Sequence, residues 1–325
     1  MKDKPSPCEI REPETKSPAW IIKWGIAIRP FSLPASTMPV LFGSVLALTI
    51  GNVPLDYPLF LSTFLGMIIL HAGANLLNDV WDYRKGIDKQ VNPASGAVVR
   101  KWISIREASV AGCLFLGIGS MLGLFIFARV GFSILWIGII GVTTGIFYTW
   151  GPFPLKYNAL GDLAVFLTFG VLGALGSWIV QTGSFSWVPI IWAVPMSLLV
   201  VGILHANNWR DIRYDKNGGI RTMAGLLGER RSEYYYSFLI FGPFALIVAL
   251  VFFAPILGIR PEMPSTFLLV FLTLPLAFKI KKRGKFRQKK EFLALDAATA
   301  KLNLLFGLLC VAALCLDSII KSFVS

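Results

Sequence analysis

Oxygen-bearing side chains recur at helical spacing in the stretch "NLLNDVWDYRKGID", residues 75–88. Asn75, Asp79 and Asp82 follow one another at steps of four and three residues. An α-helix has 3.6 residues per turn, so these side chains share one stripe of a helix. Carboxylates gathered on one stripe repel each other, and a cation between them relieves the repulsion. The spacing therefore predicts a site for a hard divalent cation such as Mg²⁺.

The same pattern returns at an offset of 132 residues in "NNWRDIRYDKNGGIRT", residues 207–222. Asn207, Asp211 and Asp215 are spaced four residues apart and again share one helical stripe. Carboxylates beside a single membrane helix are mostly solvated loop charge, but two related clusters in two halves of a chain indicate an internal repeat. The repeat predicts that both clusters face one ligand.

Basic side chains accompany both clusters. They are Arg84, Lys85, Arg100, Lys156, Arg210 and Arg221. Guanidinium and ammonium groups donate hydrogen bonds to phosphate oxygens, and Mg²⁺ commonly binds one or two carboxylates together with substrate phosphates. His71 and His205 each stand alone in an apolar run, so no zinc site is predicted. Carboxylates, metal and bases together predict a site for a diphosphate.

The elements that must position these clusters are membrane helices. Hydrophobic residues make up 55% of the chain and charged residues only 15%, and the mean hydropathy is +0.67. This balance excludes an ordinary water-soluble domain. Each bilayer crossing needs about 20 apolar residues. Nine apolar runs of about that length lie near residues 25–50, 57–79, 107–128, 131–150, 159–180, 187–209, 234–257, 264–280 and 300–321. The predicted fold class is an all-α membrane protein with nine transmembrane helices.

The distribution of the basic residues predicts the orientation in the membrane. With a cytoplasmic N-terminus, 28 of the 31 lysine and arginine residues fall on the cytoplasmic side. Only Arg129, Arg260 and Lys321 fall on the other side. Both clusters, and the active site that they predict, are then cytoplasmic. The net charge of +13 reflects this topology, so we predict no nucleic-acid partner; "KIKKRGKFRQKK" at 279–290 is expected to contact anionic lipids.

The rest of the sequence is consistent with one domain. Residues 1–22 are polar and contain proline, without the apolar core of a cleaved signal, so we expect a cytoplasmic tail. Residues 23–325 are expected to form a single transmembrane domain in the inner (plasma) membrane of the cell. The four cysteines lie in the tail or in apolar runs and indicate no disulfide framework.

The two stretches resemble the paired motifs of the UbiA superfamily of intramembrane prenyltransferases. The greatest resemblance is to its 1,4-dihydroxy-2-naphthoate polyprenyltransferases, which act in menaquinone biosynthesis. The first stretch is similar to N-x-x-N-D-x-x-D-x-x-x-G-x-D, and the second to N-N-x-R-D-x-x-x-D followed by a basic residue and Thr. The matched residues are Asn75, Asn78, Asp79, Asp82, Gly86, Asp88, Asn207, Asn208, Arg210, Asp211, Asp215, Arg221 and Thr222. "RPFSLPAS" (29–36) and "YTWGPFPLKYNALGD" (148–162) resemble further parts of the family, so the resemblance covers about 25–321.

The resemblance implies a UbiA-like bundle of nine helices around a central cavity, with a cytoplasmic cap formed by the motif loops. It also implies Mg²⁺-dependent transfer of a polyprenyl group from a polyprenyl diphosphate to an aromatic acceptor. The expected acceptor is 1,4-dihydroxy-2-naphthoate, which gives demethylmenaquinone. Acceptors of sister enzymes, such as 4-hydroxybenzoate and homogentisate, are the alternatives.

The resemblance further implies a role for each matched residue. Two magnesium ions are expected, each held by a pair of carboxylates: Asp79 with Asp82, and Asp211 with Asp215. The leaving diphosphate is expected to be stabilised by Lys156, Arg210 and Arg221. Substrate contacts are expected from Asn75, Asn78, Asp88, Arg100, Tyr148, Asn207, Asn208 and Arg221. The allylic cation requires a dry cavity, and an aromatic face such as that of Tyr148 can stabilise it.

Two other classes of membrane protein agree less well with these residues. A CDP-alcohol phosphatidyltransferase would carry one DxxDGxxAR…GxxxDxxxD stretch, which the sequence lacks. A secondary transporter would place its polar residues near mid-membrane in broken helices, whereas these carboxylates end their helices. Release of diphosphate from a prenyl diphosphate by the purified protein separates a prenyltransferase from both classes.

Overall fold

The computed structural model describes residues 19–84, 96–256, 258, 260–284 and 290–324. Its helices are α1 (Trp20–Ile28), α2 (Pro34–Thr49), α3 (Tyr57–Arg84), α4 (Ile105–Val130), α5 (Phe132–Phe147), α6 (Gly161–Thr182), α7 (Val188–Asn217), α8 (Met223–Phe253), α9 (Leu274–Gly284), α10 (Lys290–Leu293) and α11 (Leu295–Val324). Three 3₁₀ segments join them: Pro30–Ser32, Leu155–Tyr157 and Ser265–Thr273. The prediction of an all-α membrane protein is confirmed.

The number of membrane spans differs from the nine that the apolar runs predict. Among the described residues, α3, α4, α6, α7, α8 and α11 are long and apolar enough to cross a bilayer. Helices α1 and α2 meet at a bend of 53° and make a seventh span if they cross as one broken helix. Helix α5 has only 16 residues, and the run at 264–280 begins as a 3₁₀ helix. Apolar composition marks membrane depth but not unbroken helix length, so the nine spans and the cytoplasmic cap stay predictions.

The break between α1 and α2 follows from two prolines and one unusual backbone conformation. Arg29 ends α1 with a left-handed backbone, φ 53°. Pro30 and Pro34 lack an N–H and each begin a new helical segment. The carbonyls that this break leaves unpaired are satisfied by side chains, because Asn75 Nδ2 donates to Ile28 O at 3.1 Å. The chain therefore turns next to the first motif helix, α3.

Helices α3 and α4 pack closely along their length. Glycine at position 112 favours this contact, since a Cβ there would lie 2.8 Å from the side chain of Leu77, which would have to shift. Helix α4 begins with a capping box in which Ser104 Oγ accepts from Glu107 N and Glu107 Oε2 accepts from Ser104 N. It ends at Gly131, whose φ of 89° suits glycine. One side of α3 is thereby covered by α4.

The buried core lies among α2, α6, α7, α8 and α11. Large side chains that are almost fully buried in it include Phe42, Met196, Tyr236, Phe267 and Phe306. The Tyr236 hydroxyl is not left unpaired in this apolar setting, because it lies 2.5 Å from Thr299 Oγ1. The core fixes α7, which carries the second motif, against the last helix.

The opposite side of the bundle presents apolar side chains to its surroundings. On α4 an exposed stripe repeats at steps of four, four and three residues: Val110, Leu114, Ile118 and Met121. Helix α5 contains no buried residue among its 16. Exposed apolar stripes of this kind are destabilising in water and favourable in lipid, as expected of an integral membrane protein.

Candidate active site

A cavity of about 1400 Å³ lies between the two motif helices. Ten predicted site residues line it: Asn75, Asn78, Asp82, Tyr148, Lys156, Asn207, Asn208, Arg210, Asp211 and Asp215. On both α3 and α7 the amide and carboxylate side chains that line the cavity lie towards the C-terminal end of the helix. The polar ends of both helices therefore meet at the same end of the cavity. The remaining wall is mostly apolar and comes largely from α4, α5 and α6.

Asp82 of the first motif binds a lysine from a distant connection. Lys156 Nζ lies 2.5 Å from Asp82 Oδ2, and Tyr157 Oη donates to Asp82 Oδ1 at 2.8 Å. Both partners come from the 3₁₀ segment between α5 and α6. Burial by itself lowers the pKa of Lys156, but Asp82, Tyr157 and Tyr148 outweigh it and the pKa of Lys156 is raised. Lys156 is thus a permanent cation at the polar end of the cavity.

Asp79, the other carboxylate of the first motif, forms an ion pair with Arg29. Asp79 is buried and is not part of the cavity wall, whereas Arg29 is. The second carboxylate oxygen of Asp79, Oδ2, is buried without a hydrogen-bond donor. Arg29 was not among the predicted site residues. The sequence feature that could have identified Arg29 is its position inside the apolar run 25–50, because a charge at membrane depth usually has a partner there.

Arg210 is the centre of the second motif. Its guanidinium donates to Asp211 at 2.9 and 2.8 Å and to Asn207 Oδ1 at 2.5 Å. It also donates to Asp296 Oδ2 on α11 at 2.9 Å. Arg210 therefore holds the motif's oxygen ligands in place as well as facing the cavity. Asp296 lines the cavity too and was missed by sequence reasoning, since it precedes the last apolar run.

The segment after the second motif is attached to the segment that carries Lys156. Arg221 N donates to Tyr157 O at 3.2 Å, and Ala159 N donates to Arg221 O at 2.6 Å. Asp215, the last carboxylate of the motif, is buried and accepts a long hydrogen bond of 3.5 Å from Thr222 Oγ1. The backbone hydrogen bonds of Arg221 align the second motif with the segment that carries Lys156.

Two predicted substrate contacts, Arg100 and Arg221, do not line the cavity. Arg100 lies over the ring of Trp102, 4.5 Å from its centre, and does not line the cavity. The Arg221 side chain is exposed and engages the rest of the protein through its backbone. Asp88 lies outside the described residues. These three assignments remain predictions.

The donor atoms at the polar end suit a hard cation. Within the described residues no group of three or more carboxylate, histidine or cysteine side chains is preassembled as a metal site. The oxygen ligands come instead from α3 and α7, with Asp82 on one helix and Asp211 and Asp215 on the other. The unpaired Oδ2 of Asp79 lies on the same helix as Asp82 but outside the cavity wall. An oxygen-only donor set of this kind fits Mg²⁺ better than zinc.

Comparison with known proteins identifies the fold and the family. The model of the UbiA prenyltransferase family matches residues 36–306. A relative from Drosophila melanogaster, UbiA prenyltransferase domain-containing protein 1 homolog, is 34% identical over 296 residues, 89% of this chain and 78% of the relative.

Two solved archaeal structures have the same fold. The apo UbiA homolog from Aeropyrum pernix K1 gives a TM-score of 0.62 at 18% identity, over 88% of this chain and 96% of that one. The UbiA homolog from Archaeoglobus fulgidus bound to GPP and Mg²⁺ gives a TM-score of 0.59 at 16% identity, over 89% of this chain and 99% of that one. Because the family model matches most of this chain, the chain belongs to the UbiA prenyltransferase family and is an integral-membrane prenyltransferase.

Proposed function

We propose that the enzyme transfers a polyprenyl group from a polyprenyl diphosphate to 1,4-dihydroxy-2-naphthoate. The observation that carries this proposal is the single cavity, with charged and amide side chains at one end and an apolar remainder. Such a cavity matches a substrate with a diphosphate head and a hydrocarbon chain. The naphthoate acceptor is supported by the "NNWRD" and "YTWGPFPL" stretches, which resemble those of the naphthoate enzymes.

The charged end is suited to stabilise a leaving diphosphate. Breaking the allylic C–O bond builds negative charge on the diphosphate and positive charge on the isoprenoid. Lys156 and Arg29 carry fixed positive charge on the cavity wall, and both are held in position by carboxylates. Charges that are already positioned need little reorganisation when the bond breaks, which is the usual source of electrostatic catalysis.

The oxygen ligands of the two motifs are proposed to hold magnesium, which would neutralise the diphosphate and act as a Lewis acid. The archaeal homolog described with GPP and Mg²⁺ supports this assignment. We assign the carboxylates Asp79, Asp82, Asp211 and Asp215 to two ions, one for each motif. Asn75 and Asn207 are neutral groups that orient these ligands and contact the diphosphate.

The apolar part of the cavity is proposed to bind the isoprenoid chain. Its wall includes Leu70, Leu116, Phe127 and Ile137, from α3, α4 and α5. Side chains without hydrogen-bonding groups exclude water, which would otherwise convert the allylic cation to an alcohol. Tyr148 lies on the wall with its ring available to stabilise positive charge.

We propose that the active site faces the cytoplasm in the inner (plasma) membrane and that residues 23–325 act as one domain. The asymmetry of 28 basic residues against 3 supports this orientation. The basic end of α9 lies beside the second motif, since a Cβ at Gly284 would be 3.2 Å from the ring of Trp209. The motif ends and this basic segment thus share one side of the bundle.

The test uses purified protein in nanodiscs with Mg²⁺, geranyl diphosphate and a panel of acceptors. The panel comprises 1,4-dihydroxy-2-naphthoate, 4-hydroxybenzoate and homogentisate, with products identified by mass spectrometry. We expect release of diphosphate from the prenyl donor and of the acceptor's carboxylate as CO₂, with formation of a prenylated naphthoquinol. Chelation with EDTA should abolish both diphosphate release and product formation. Prenylation of another acceptor alone would overturn the naphthoate assignment.

The metal assignment is tested with matched carboxylate variants. Asp82→Asn and Asp215→Asn are expected to lower the rate of diphosphate release at least about 100-fold, as removal of electrostatic groups commonly does. Asp317→Asn is the matched control, because Asp317 also lies on a membrane helix but pairs with Lys321 far along α11. Normal turnover of both motif variants would overturn the assignment.

A further inference from the structure

A second polar group lies deeper in the cavity than the charged end. It consists of Ser32, Ser36 and His71, with Asn75 at its border. His71 precedes Asn75 by one helical turn on α3, a rise of about 6 Å further from the diphosphate end. Ser32, His71 and Asn75 all line the cavity. The diphosphate chemistry proposed above makes no use of Ser32 or His71.

The hydrogen bonds around His71 define which of its ring nitrogens carries the proton. His71 Nδ1 lies 2.8 Å from Ser36 Oγ. The Ser36 hydroxyl also lies 3.1 Å from Leu33 O. That oxygen already accepts from Ser36 N, Thr37 N and Thr37 Oγ1, and Nδ1 is the nearer acceptor, so we take the hydroxyl to donate to Nδ1. This assigns the neutral tautomer with its proton on Nε2.

The Nε2–H of His71 is therefore a donor with only a weak contact. It faces Ser32 Oγ at 3.4 Å, beyond the usual length of a strong hydrogen bond. Ser32 Oγ donates to Arg29 O at 2.8 Å and accepts from Asn75 Nδ2 at 3.3 Å. A donor at membrane depth gains more from a substrate oxygen than from this long contact.

An aromatic ring stands beside this donor. Phe169 stacks on His71 with ring centres 4.7 Å apart and planes 25° apart, and it also lines the cavity. Phe169 lies in the π-helical stretch Phe166–Val171 of α6, where the widened turn changes the direction of the side chains. An N–H donor next to an aromatic face suits a flat ring that carries an oxygen substituent.

A purely structural role is the competing explanation. The polar group lies next to the α1–α2 break, and Asn75 and Ser32 do satisfy backbone carbonyls there. His71 differs from them, because its recorded hydrogen-bond partners are two serine hydroxyls and no backbone carbonyl. Its contribution to closing the break is thus indirect.

We propose that His71 is a specificity-determining residue that donates a hydrogen bond from Nε2 to a ring oxygen of the aromatic acceptor, with Phe169 beside it. This inference rests on the proposed prenyl transfer to an aromatic acceptor. Ser36 is a positioning residue, since its hydroxyl sets the tautomer and the orientation of the imidazole.

The test compares substrate KM values of His71→Phe, His71→Gln and the unmodified enzyme, with 1,4-dihydroxy-2-naphthoate and geranyl diphosphate as substrates. Phenylalanine keeps the ring beside Phe169 but has no N–H, whereas glutamine supplies an amide donor. For His71→Phe we expect the acceptor KM to rise about five- to tenfold, the range of one hydrogen bond, with the geranyl diphosphate KM unchanged. For His71→Gln the acceptor KM should be close to that of the unmodified enzyme.

Inhibition by 2-naphthoate, which lacks both ring hydroxyls, gives a readout that packing alone does not move. The unmodified enzyme is expected to bind it about five- to tenfold more weakly than the dihydroxy acceptor, and His71→Phe should remove most of that preference. Thr49→Val is the matched control, because Thr49 bonds to its own helix at Val45 O and lies outside the cavity wall. It should change neither KM.

The outcomes separate this inference from the proposed function. If the unmodified enzyme prenylates none of the acceptors, the proposed function fails first. If it prenylates 4-hydroxybenzoate instead, the same variants are compared with that acceptor and with benzoate. Equal effects of His71→Phe on both KM values, or on neither, would overturn the role of His71. If His71→Phe does not fold, Ser36→Ala must raise the acceptor KM selectively for the inference to stand.

Discussion

The two motif helices hold their carboxylates in different ways. On α3, Asp79 and Asp82 are buried, and each pairs with a cation from another part of the chain, Arg29 or Lys156. On α7, the Asp211 side chain is 34% exposed and pairs with Arg210, its neighbour in the same helix. Both carboxylates of the first motif are therefore paired through tertiary contacts, whereas Asp211 of the second motif is paired locally, and tertiary contacts there are made by Arg210.

This difference determines how much stability each motif loses when the cation that pairs with its carboxylate is removed. A buried carboxylate that loses its cation is left uncompensated at low dielectric, at a cost of several kcal/mol. A partly exposed carboxylate is still solvated when its partner is removed, so its loss is smaller. The site thus combines two buried carboxylates that pair across the fold with one, Asp211, that is partly exposed.

The largest effect is expected from Lys156→Met. The substitution removes a cation from the cavity wall and leaves Asp82 with Tyr157 alone among the partners described above. We expect turnover to fall at least about 100-fold, which is typical when a positioned charge-stabilising group is lost. Initial rates of diphosphate release measure the effect. Lys301→Met is the control, because Lys301 is exposed on α11 and lies outside the cavity wall; equal activity of the two variants would contradict the comparison.

The second prediction separates stability from catalysis in the Arg29–Asp79 pair. Arg29→Met is expected to lower the free energy of unfolding by about 3–5 kcal/mol, because it removes the ion-pair partner of the buried Asp79. Asp79→Asn is expected to cost less, because Arg29 is only partly buried and lines the cavity. The double variant should recover much of this loss, as a double-mutant cycle would reveal. Activity should not recover, because Asp79 is also a proposed metal ligand. Melting in detergent and initial rates are the two measurements, and recovery of activity in the double variant would refute the metal role.

A smaller effect is expected for Asp296→Asn. This change weakens the contact of Arg210 with α11 but leaves its bonds to Asp211 and Asn207. We expect the KM for geranyl diphosphate to rise about three- to tenfold, the range of one charge-assisted hydrogen bond. The loss of stability should be less than that of Asp79→Asn. A collapse of folding in this variant would show that the second motif also depends on tertiary pairing.

The smallest effect is expected for Arg221→Ala. The side chain is exposed, while the backbone of Arg221 makes the hydrogen bonds to Tyr157 and Ala159. Alanine keeps those bonds, so we expect turnover to change by no more than about twofold, as for most exposed substitutions. The sequence motif instead assigns Arg221 to the stabilisation of the leaving diphosphate, which requires turnover to fall at least about tenfold. Initial rates of diphosphate release decide between the two.

Sequence reasoning identified most of the cavity's polar end. Ten of its residues were predicted from motif spacing and resemblance, because helical periodicity and side-chain chemistry are local properties. Arg29, Tyr157 and Asp296 were missed. None of them belongs to the paired Asn/Asp motifs, although Arg29 and Tyr157 lie in other stretches that resemble the family. Each reaches the site only through folding: Arg29 lies at a helix break, and Asp296 lies at the start of the last helix.

The span count illustrates the same limit. Hydropathy located every apolar stretch, but it could not detect that α1 and α2 break at Arg29 or that Ser265–Thr273 is a 3₁₀ helix. These features depend on backbone conformation and on neighbouring helices that satisfy the freed carbonyls.

The sequence by itself determined that this protein is helical, lies in a membrane and carries two Asn/Asp motifs. Those properties depend on composition and on spacings of three or four residues. Only the tertiary structure decided which charges meet, because the partners in the pairs Arg29–Asp79, Lys156–Asp82 and Arg210–Asp296 are 50, 74 and 86 residues apart. Helix periodicity relates neighbours within a few turns, whereas pairing across such distances depends on how the helices pack.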